Sequence, residues 1–318
     1  MAVIGKDIKE AIEILKSGEV IGMPTETVYG LAGNAYNTEA ITKIFTVKNR
    51  PTFDPLIVHT SSVERVREFV SEIPEKAQLL ANHFMPGPLT LLLPKKDIIS
   101  DLVTSGLDTV AVRIPNHPLA LQLLENLDFP LAAPSANPFG YISPTSAQHV
   151  DNQLGEKIKY ILDGGECTVG IESSIIGFFS DEIVVFRKGG LAIEEIENIV
   201  GKVRIEEHSS SNPKAPGMLK SHYAPRTQLL VTGDLSLVDN NVGKIGYLGF
   251  DKFHPLIPQE NQLLLSSTGD LAEAAKSLFA YMRLLDTRGF DKIYTDLLPE
   301  KGLGRAINDR IKRATTQE

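Results

Sequence analysis

The chain has 318 residues with a single cysteine, a net charge of -8, 42% hydrophobic and 23% charged residues. That length exceeds what one hydrophobic core usually serves, so two domains joined by a linker are expected. The ordinary composition excludes disorder, a collagen-like repeat and a disulfide scaffold. The acidic balance argues against stable nucleic-acid binding, which needs a basic face to displace counterions. An anionic ligand would then bind only where Lys and Arg converge.

Lone Cys167 cannot form an internal disulfide, and the amphipathic N-terminus does not have the charged-then-apolar form of a signal, so a reducing cytoplasm is expected. Apolar runs such as Leu89 to Leu93 are too short to cross a bilayer, and no membrane association is expected.

Asp7 and Glu10 form a capping box before Ile8, Ala11, Ile12 and Leu15, and Gly18 stops this first helix. Glu19 to Met23 reads as a strand that breaks into a polar turn over residues 24–30. A helix follows from Thr38 to Val47 and must end before Pro51. Strands are then predicted at 56–59, 89–93, 110–114, 160–162, 174–178 and 184–186, with helices at 63–70, 77–84, 119–127, 147–154 and 193–200. Residues 1–203 therefore read as an α/β or α+β domain whose strand order the sequence does not give. Residues 204–227, rich in Ser, Asn, Pro and Gly and containing Ser209, Ser210 and Ser211 in a row, read as a linker. Beyond it, strands at 229–231, 245–248, 263–265 and 293–294 accompany a helix capped by Asp270, a small βαβ-type domain over 228–318.

The common phosphate loops are missing, the seven histidines show no paired metal spacing, and Ser135 in A-P-S-A-N has no base beside it in sequence. Five polar segments lie instead at strand ends and irregular turns, where frameworks display binding groups. P-T-E-T-V-Y-G at 24–30 is either an ordinary turn or a set of hydroxyls and a carboxylate that orient a small polar substrate. K-N-R-P at 48–51 leads through Asp54 to P-L-I-V-H at 55–59, and its cations either complement a helix end or bind phosphate. In D-T-V-A-V-R-I-P at 108–115 strand alternation puts Thr109, Ala111 and Arg113 on one face, so Arg113 enters a cleft or makes a surface salt bridge. A-A-P-S-A-N at 132–137 precedes S-P-T at 143–145, and the fifth comprises G-I-E-S-S-I at 170–175 and F-R-K-G-G at 186–190: each is a hairpin edge, or Arg187, closing an apolar strand before two glycines, holds a phosphate against the backbone.

In this order the segments, with P-G-P-L-T at 86–90, A-P-G-M-L-K-S-H-Y-A-P at 215–225 and G-L-G-R-A-I-N-D-R at 302–310, resemble the Sua5/YrdC family of threonylcarbamoyl-AMP synthases in its long, Sua5 form. The resemblance implies an α/β fold: a YrdC-like catalytic domain with a twisted mixed sheet at 1–203, a linker and active-site lid at 204–227, and a small Rossmann-like C-terminal domain at 228–318. It implies a nucleotidyltransferase that makes threonylcarbamoyl-AMP and pyrophosphate from L-threonine, bicarbonate or CO2, and ATP with Mg2+, for a downstream transferase that modifies tRNA. Thr27, His59, Arg113, Ala133 and Ser173 would contact threonine. Arg50, Asp54, Thr109, Ser135, Asn137, Ser143, Arg187 and Arg226 would contact ATP, with Lys48, Arg50 and Arg187 neutralising the reacting charges and His222 and Tyr223 in the lid. No protein side chain is assigned to a metal. The chain departs from the family in reading K-N-R for the commoner K-G-R, Ser174 for threonine, and Asp54 for asparagine; Asp54 would repel phosphate unless Mg2+ or a neighbouring Arg intervenes. An RNA-binding translation or ribosome-associated factor of the same fold is the alternative reading.

Overall fold

The computed structural model describes residues 1–179, 182–206, 213–219, 221–231 and 243–316; Ser209, Ser210 and Ser211 of the expected linker lie outside the described residues. Local chemistry starts the chain as its sequence predicts. The Asp7 carboxylate accepts from Lys9 N and Glu10 N and opens α1 (Ile8–Lys16). α2 (Thr38–Lys48) opens on the Asn37 side chain and closes at Asn49, whose φ of 52° ends the helix before Pro51.

The strands of the larger sheet are β1 (Val3–Gly5), β2 (Ile21–Met23), β3 (Gly30–Asn34), β4 (Ile57–His59), β5 (Leu89–Pro94), β6 (Thr109–Arg113), β7 (Leu131–Ala132), β8 (Tyr160–Leu162), β9 (Ser174–Phe179), β10 (Glu182–Arg187) and β11 (Arg204–Ile205). They form one mixed sheet in the order β1-β8-β2-β3-β7-β4-β6-β5-β9-β10-β11. Sequence reasoning does not find β3 or β7. Gly30 to Asn34 has little intrinsic strand preference, and its place is set by β2 on one side and by the Gly33 to Ala132 pairing with β7 on the other. Arg204 and Ile205, at the start of the expected linker, pair with Val184 and Val185 and extend the sheet.

One face of this sheet packs Val58, Val110 and Val112 against α2, α3 (Val63–Val66), α4 (Glu75–Phe84), α5 (Asp101–Thr104), α7 (Ala147–Leu154) and α8 (Ile193–Val200). The other face is covered in two patches. Ile21, Ala32 and Leu131 lie under α1 and α6 (Pro118–Glu125). Ile57, Ala111, Ile175 and Phe186 lie under Ala215 and Met218, two residues from the segment that joins the sheets.

A second sheet, β12 (Gln228–Val231), β13 (Ile245–Gly249), β14 (Gln262–Leu264) and β15 (Lys292–Thr295), is parallel throughout and ordered β12-β15-β13-β14. α9 (Leu271–Asp286), capped by Asp270 as its sequence predicts, and α10 (Gly304–Thr315) pack on it. α10 escapes sequence reasoning because the residues it buries include Asn308, Asp309, Arg310 and Arg313, which blur the apolar period. Val28, Ile142 and Ile171 of the first part join the same apolar cluster as Leu278, Phe279 and Ile307 of the second. The fold is the mixed α/β sheet with a smaller parallel-sheet part that the sequence led us to expect.

Candidate active site

A cavity of about 590 Å³, measured to its open mouth, lies on the sheet face between the two covered patches. β4 and β6 run parallel with His59 opposite Arg113, so strand alternation aims both side chains at the cavity. Arg113 is buried, and its Nη2 faces Glu26 Oε1 at 2.7 Å. The two form a buried ion pair beside the cavity. Glu26 is held in turn by Asn116 N, which donates to Oε2 at 3.0 Å. Burial, reinforced by the Arg113 charge, pushes the His59 imidazole down to about 3, so this ring is neutral.

Arg187 reaches the cavity through a register shift in the β9–β10 pairing between Val185 and Arg187, a bulge that re-aims the side chain. Its Nε donates to Ser173 O at 2.9 Å and its Nη2 to Ser173 Oγ at 3.0 Å, while Ser173 Oγ lies 2.7 Å from Thr90 Oγ1. Burial lowers the Arg187 guanidinium to about 10, which leaves it charged near neutrality. No carboxylate pairs with it among the described residues.

Arg50 lies where α2 has ended. Its Nη2 meets Asp54 Oδ2 at 2.8 Å, and it donates to Asp54 O and Pro55 O at 3.2 and 2.9 Å. The neighbouring arginine therefore neutralises the anion whose place beside phosphates the sequence left problematic. Asp54 Oδ1 accepts from Gly217 N at 3.3 Å, and Gly217, His222 and Tyr223 form part of the cavity wall. Tyr223 adopts a φ of 67° and is buried against Phe279, with the ring centroids 5.4 Å apart. His222 meets the Phe139 ring edge-on at 5.6 Å.

Of the residues chosen from sequence, Arg50, His59, Arg113, Ala133, Ser135, Arg187, His222 and Tyr223 line this one cavity. The others stand apart from its wall. Lys48 is buried behind it and donates Nζ to the carbonyls of Ser135 and Asn137, so it pins the A-P-S-A-N loop. Burial, ahead of repulsion from Arg50, holds this amine well below its ordinary range. Thr27 and Ser143 are buried, paired with Thr25 Oγ1 and with Glu172 Oε1. Asp54, Asn137 and Ser173 support neighbours: Arg50 for Asp54, the carbonyls of Pro138 and Tyr141 for Asn137, and Arg187 for Ser173. Thr109 begins β6 and lies roughly 13 Å of strand away from Arg113. Arg226 is exposed over the Tyr141 ring, 5.8 Å from its centroid. The hydroxyls and carboxylate singled out at 24–30 put Thr25 on the wall and Glu26 behind it, and Gly217 belongs to the expected lid, whereas sequence reasoning gave Glu172 no role of its own. The signal was present for Glu172, a lone carboxylate beside a motif hydroxyl.

Residues 13–189 match the Sua5/YciO/YrdC family, described as telomere recombination, and residues 191–316 match the threonylcarbamoyl-AMP synthase C-terminal domain. The threonylcarbamoyl-AMP synthase of Pyrococcus abyssi is 40% identical, over 97% of this chain and 94% of that protein. The chain belongs to the Sua5/YrdC family. Another member, the threonylcarbamoyl-AMP synthase of Bacillus subtilis, is 38% identical over 96% of this chain and 92% of its own length. The crystal structure of the P. abyssi Sua5 complexed with L-threonine superposes with a TM-score of 0.91 at 38% identity, covering 99% of this chain and 97% of that one. Both halves of the long Sua5 form are thus present.

Proposed function

We propose that this protein is a threonylcarbamoyl-AMP synthase that converts L-threonine, bicarbonate or CO2, and ATP into threonylcarbamoyl-AMP and pyrophosphate. The observation that carries the reading is the convergence of Arg50, Arg113, Arg187, His59 and Ser135 on one cavity. The full-length likeness to a Sua5 with bound L-threonine supports it.

In this reading Arg113, with Glu26 behind it, receives the threonine carboxylate, and neutral His59 and Ala133 border the amino acid. Thr27 orders the turn from which Thr25 faces the cavity, and Ser173 links the amino-acid end to Arg187. The amine nitrogen bonds to the carbon of CO2 and gives up a proton, forming a carbamate. A carbamate oxygen then bonds to the α-phosphorus as the bond to pyrophosphate breaks, and pyrophosphate leaves with the electron pair. Positioning and charge neutralisation do most of such work. Arg187 and Arg50 face the nucleotide end. Lys48, Asn137 and Ser135 set the loop that borders it, while Asp54, Ser143, Thr109 and Arg226 complete the ATP side at greater distance.

Among the described residues no group of three or more His, Cys, Asp or Glu side chains could hold a metal. Asp54 and Glu172 are already paired with arginines. In this reading Mg2+ enters with ATP as its counter-ion. On the same reading Arg204 and Ile205 belong with the catalytic domain, and the segment that carries Gly217, His222 and Tyr223 on the cavity wall acts as linker and lid before a C-terminal domain at 228–318. Among the described residues no helix is long and apolar enough to cross a membrane. We place the enzyme in the cytoplasm, handing its adenylate to a transferase that modifies adenosine 37 of tRNA.

The test is incubation of the purified protein with ATP, Mg2+, bicarbonate and either threonine, serine or alanine, with adenylates identified by mass spectrometry. Threonylcarbamoyl-AMP and pyrophosphate are expected with threonine. Absence of any adenylate, with salt-sensitive RNA binding in its place, would overturn the reading.

A further inference from the structure

Arg310 comes from α10, yet it touches the cavity's own wall. It is fully buried. Its Nε meets Glu172 Oε2 at 3.1 Å, its Nη1 donates to Lys188 O, and its guanidinium carbon lies 5.5 Å from the centroid of the Tyr223 ring. Arg313, one turn further on, lies 4.7 Å from the same ring. The last helix therefore grips both a carboxylate of the catalytic wall and the aromatic residue at its mouth.

The carboxylate matters because of what stands near it. Glu172 and Arg187 line the same cavity. Arg50 has Asp54 and Arg113 has Glu26, whereas among the described residues Arg187 is held by Ser173 oxygens and by no carboxylate. Glu172 would be the natural partner of Arg187, but both its oxygens are engaged: Ser143 Oγ donates to Oε1 at 2.5 Å and Arg310 holds Oε2. Burial works against the Glu172 charge, yet Arg310, ahead of Arg187, keeps the carboxyl below its ordinary range, so the group stays ionised and in need of a cation.

We propose that Arg310 is a positioning residue of the active site: by holding the Glu172 carboxylate it keeps Arg187 unpaired for an anionic substrate, and by stacking on Tyr223 it holds that ring in the cavity wall. The C-terminal domain thereby contributes directly to the charge balance of the cavity. Without Arg310 the buried Glu172 anion turns to its remaining cation, Arg187, and competes with the triphosphate. The inference rests on the synthase reading above, in which Arg187 faces ATP.

The test compares steady-state constants of the full-length wild type, Arg310→Met, Glu172→Gln and the double variant, varying ATP and threonine separately. For Arg310→Met the KM for ATP is expected to rise at least about tenfold, the size of one lost charge-assisted hydrogen bond, with a much smaller change for threonine. Adding Glu172→Gln removes the competing anion and should restore most of the ATP affinity, which a purely structural role would not do. An unchanged KM for ATP in Arg310→Met, or a double variant as impaired as the single one, overturns the proposal. If Arg310→Met does not fold, Arg310→Lys is read in its place: it keeps the charge but not the fork, and an ATP KM equal to the wild type's overturns the proposal. A wild type that makes no adenylate would sink the synthase reading instead.

Discussion

Arg50 and Asp54 form an ion pair 2.8 Å apart at the cavity, and the second Asp54 oxygen accepts from the backbone of Gly217. One carboxylate thus neutralises a cation of the cavity and ties down Gly217 of its wall. Asp54→Asn keeps an acceptor for Gly217 N but leaves Arg50 buried without its counter-charge. Losing one partner of a buried pair costs about 3–5 kcal/mol at the upper end. The variant should melt below the wild type without ligand and gain more stability from ATP, because the freed guanidinium binds phosphate and binding to the native state raises stability. Thermal melts with and without ATP check this; equal ATP-induced shifts in the two proteins would count against it.

Arg187 is the cavity arginine without a carboxylate partner among the described residues, so its charge is the one most open to the reacting phosphate. Arg187→Ala should lower pyrophosphate release by about 10²- to 10³-fold, the scale of one removed transition-state donor. It also leaves Ser173 O without its donor, a stability cost of about 1–3 kcal/mol. A folded variant with undiminished threonine-dependent turnover contradicts the role.

Tyr223 combines a left-handed backbone with a buried ring. A non-glycine residue there carries about 1–2 kcal/mol of backbone strain, so Tyr223→Gly should be more stable than Tyr223→Ala even though both lose the ring. Both should release more AMP and less intact adenylate than the wild type, since the mouth no longer excludes water. Tyr223→Phe should keep the product intact. Chromatography of the nucleotide products and denaturant melts give the two readouts, and intact product from Tyr223→Ala would remove the closure argument.

His59 gives the fold an acid sensitivity with a definite sign. Its folded-state value is lowered from 6.5 to about 3 by burial and then by Arg113. Between those values the unfolded chain carries the proton and the native one does not, so stability falls as pH falls through that window. The slope is on the order of 1 kcal/mol per pH unit where only the unfolded imidazole is protonated. Comparing urea unfolding of wild type and His59→Asn at pH 7 and pH 5 tests it: the variant should lose less stability on acidification, and parallel losses would refute the assignment.

The helices with a polar cap and an apolar period were readable because their signals are local. Asp7 caps α1 and Asp270 caps α9 in the structure as the spacing implies. β6 was readable too, and its alternation correctly put Ala111 and Arg113 on one face, where Ala111 meets Ile57 and Arg113 enters the cavity. β3 and β7 were not, because Gly30 to Asn34 becomes a strand through its neighbours rather than through its own side chains. α10 was hidden for a related reason: Arg310 and Arg313 look like surface charges until Glu172, Asp309 and Tyr223 are brought against them.

The sequence by itself determined which residue types the protein offers: arginines and hydroxyls at strand ends, framed by elements that local capping and periodicity specify. Only the tertiary structure decided which of them share a cavity, since strand order fixes that and no local pattern encodes it. It also decided which charges are neutralised. Pairings such as Arg310 with Glu172 join residues 138 positions apart, and their strength comes from burial that exists only once both sheets have packed.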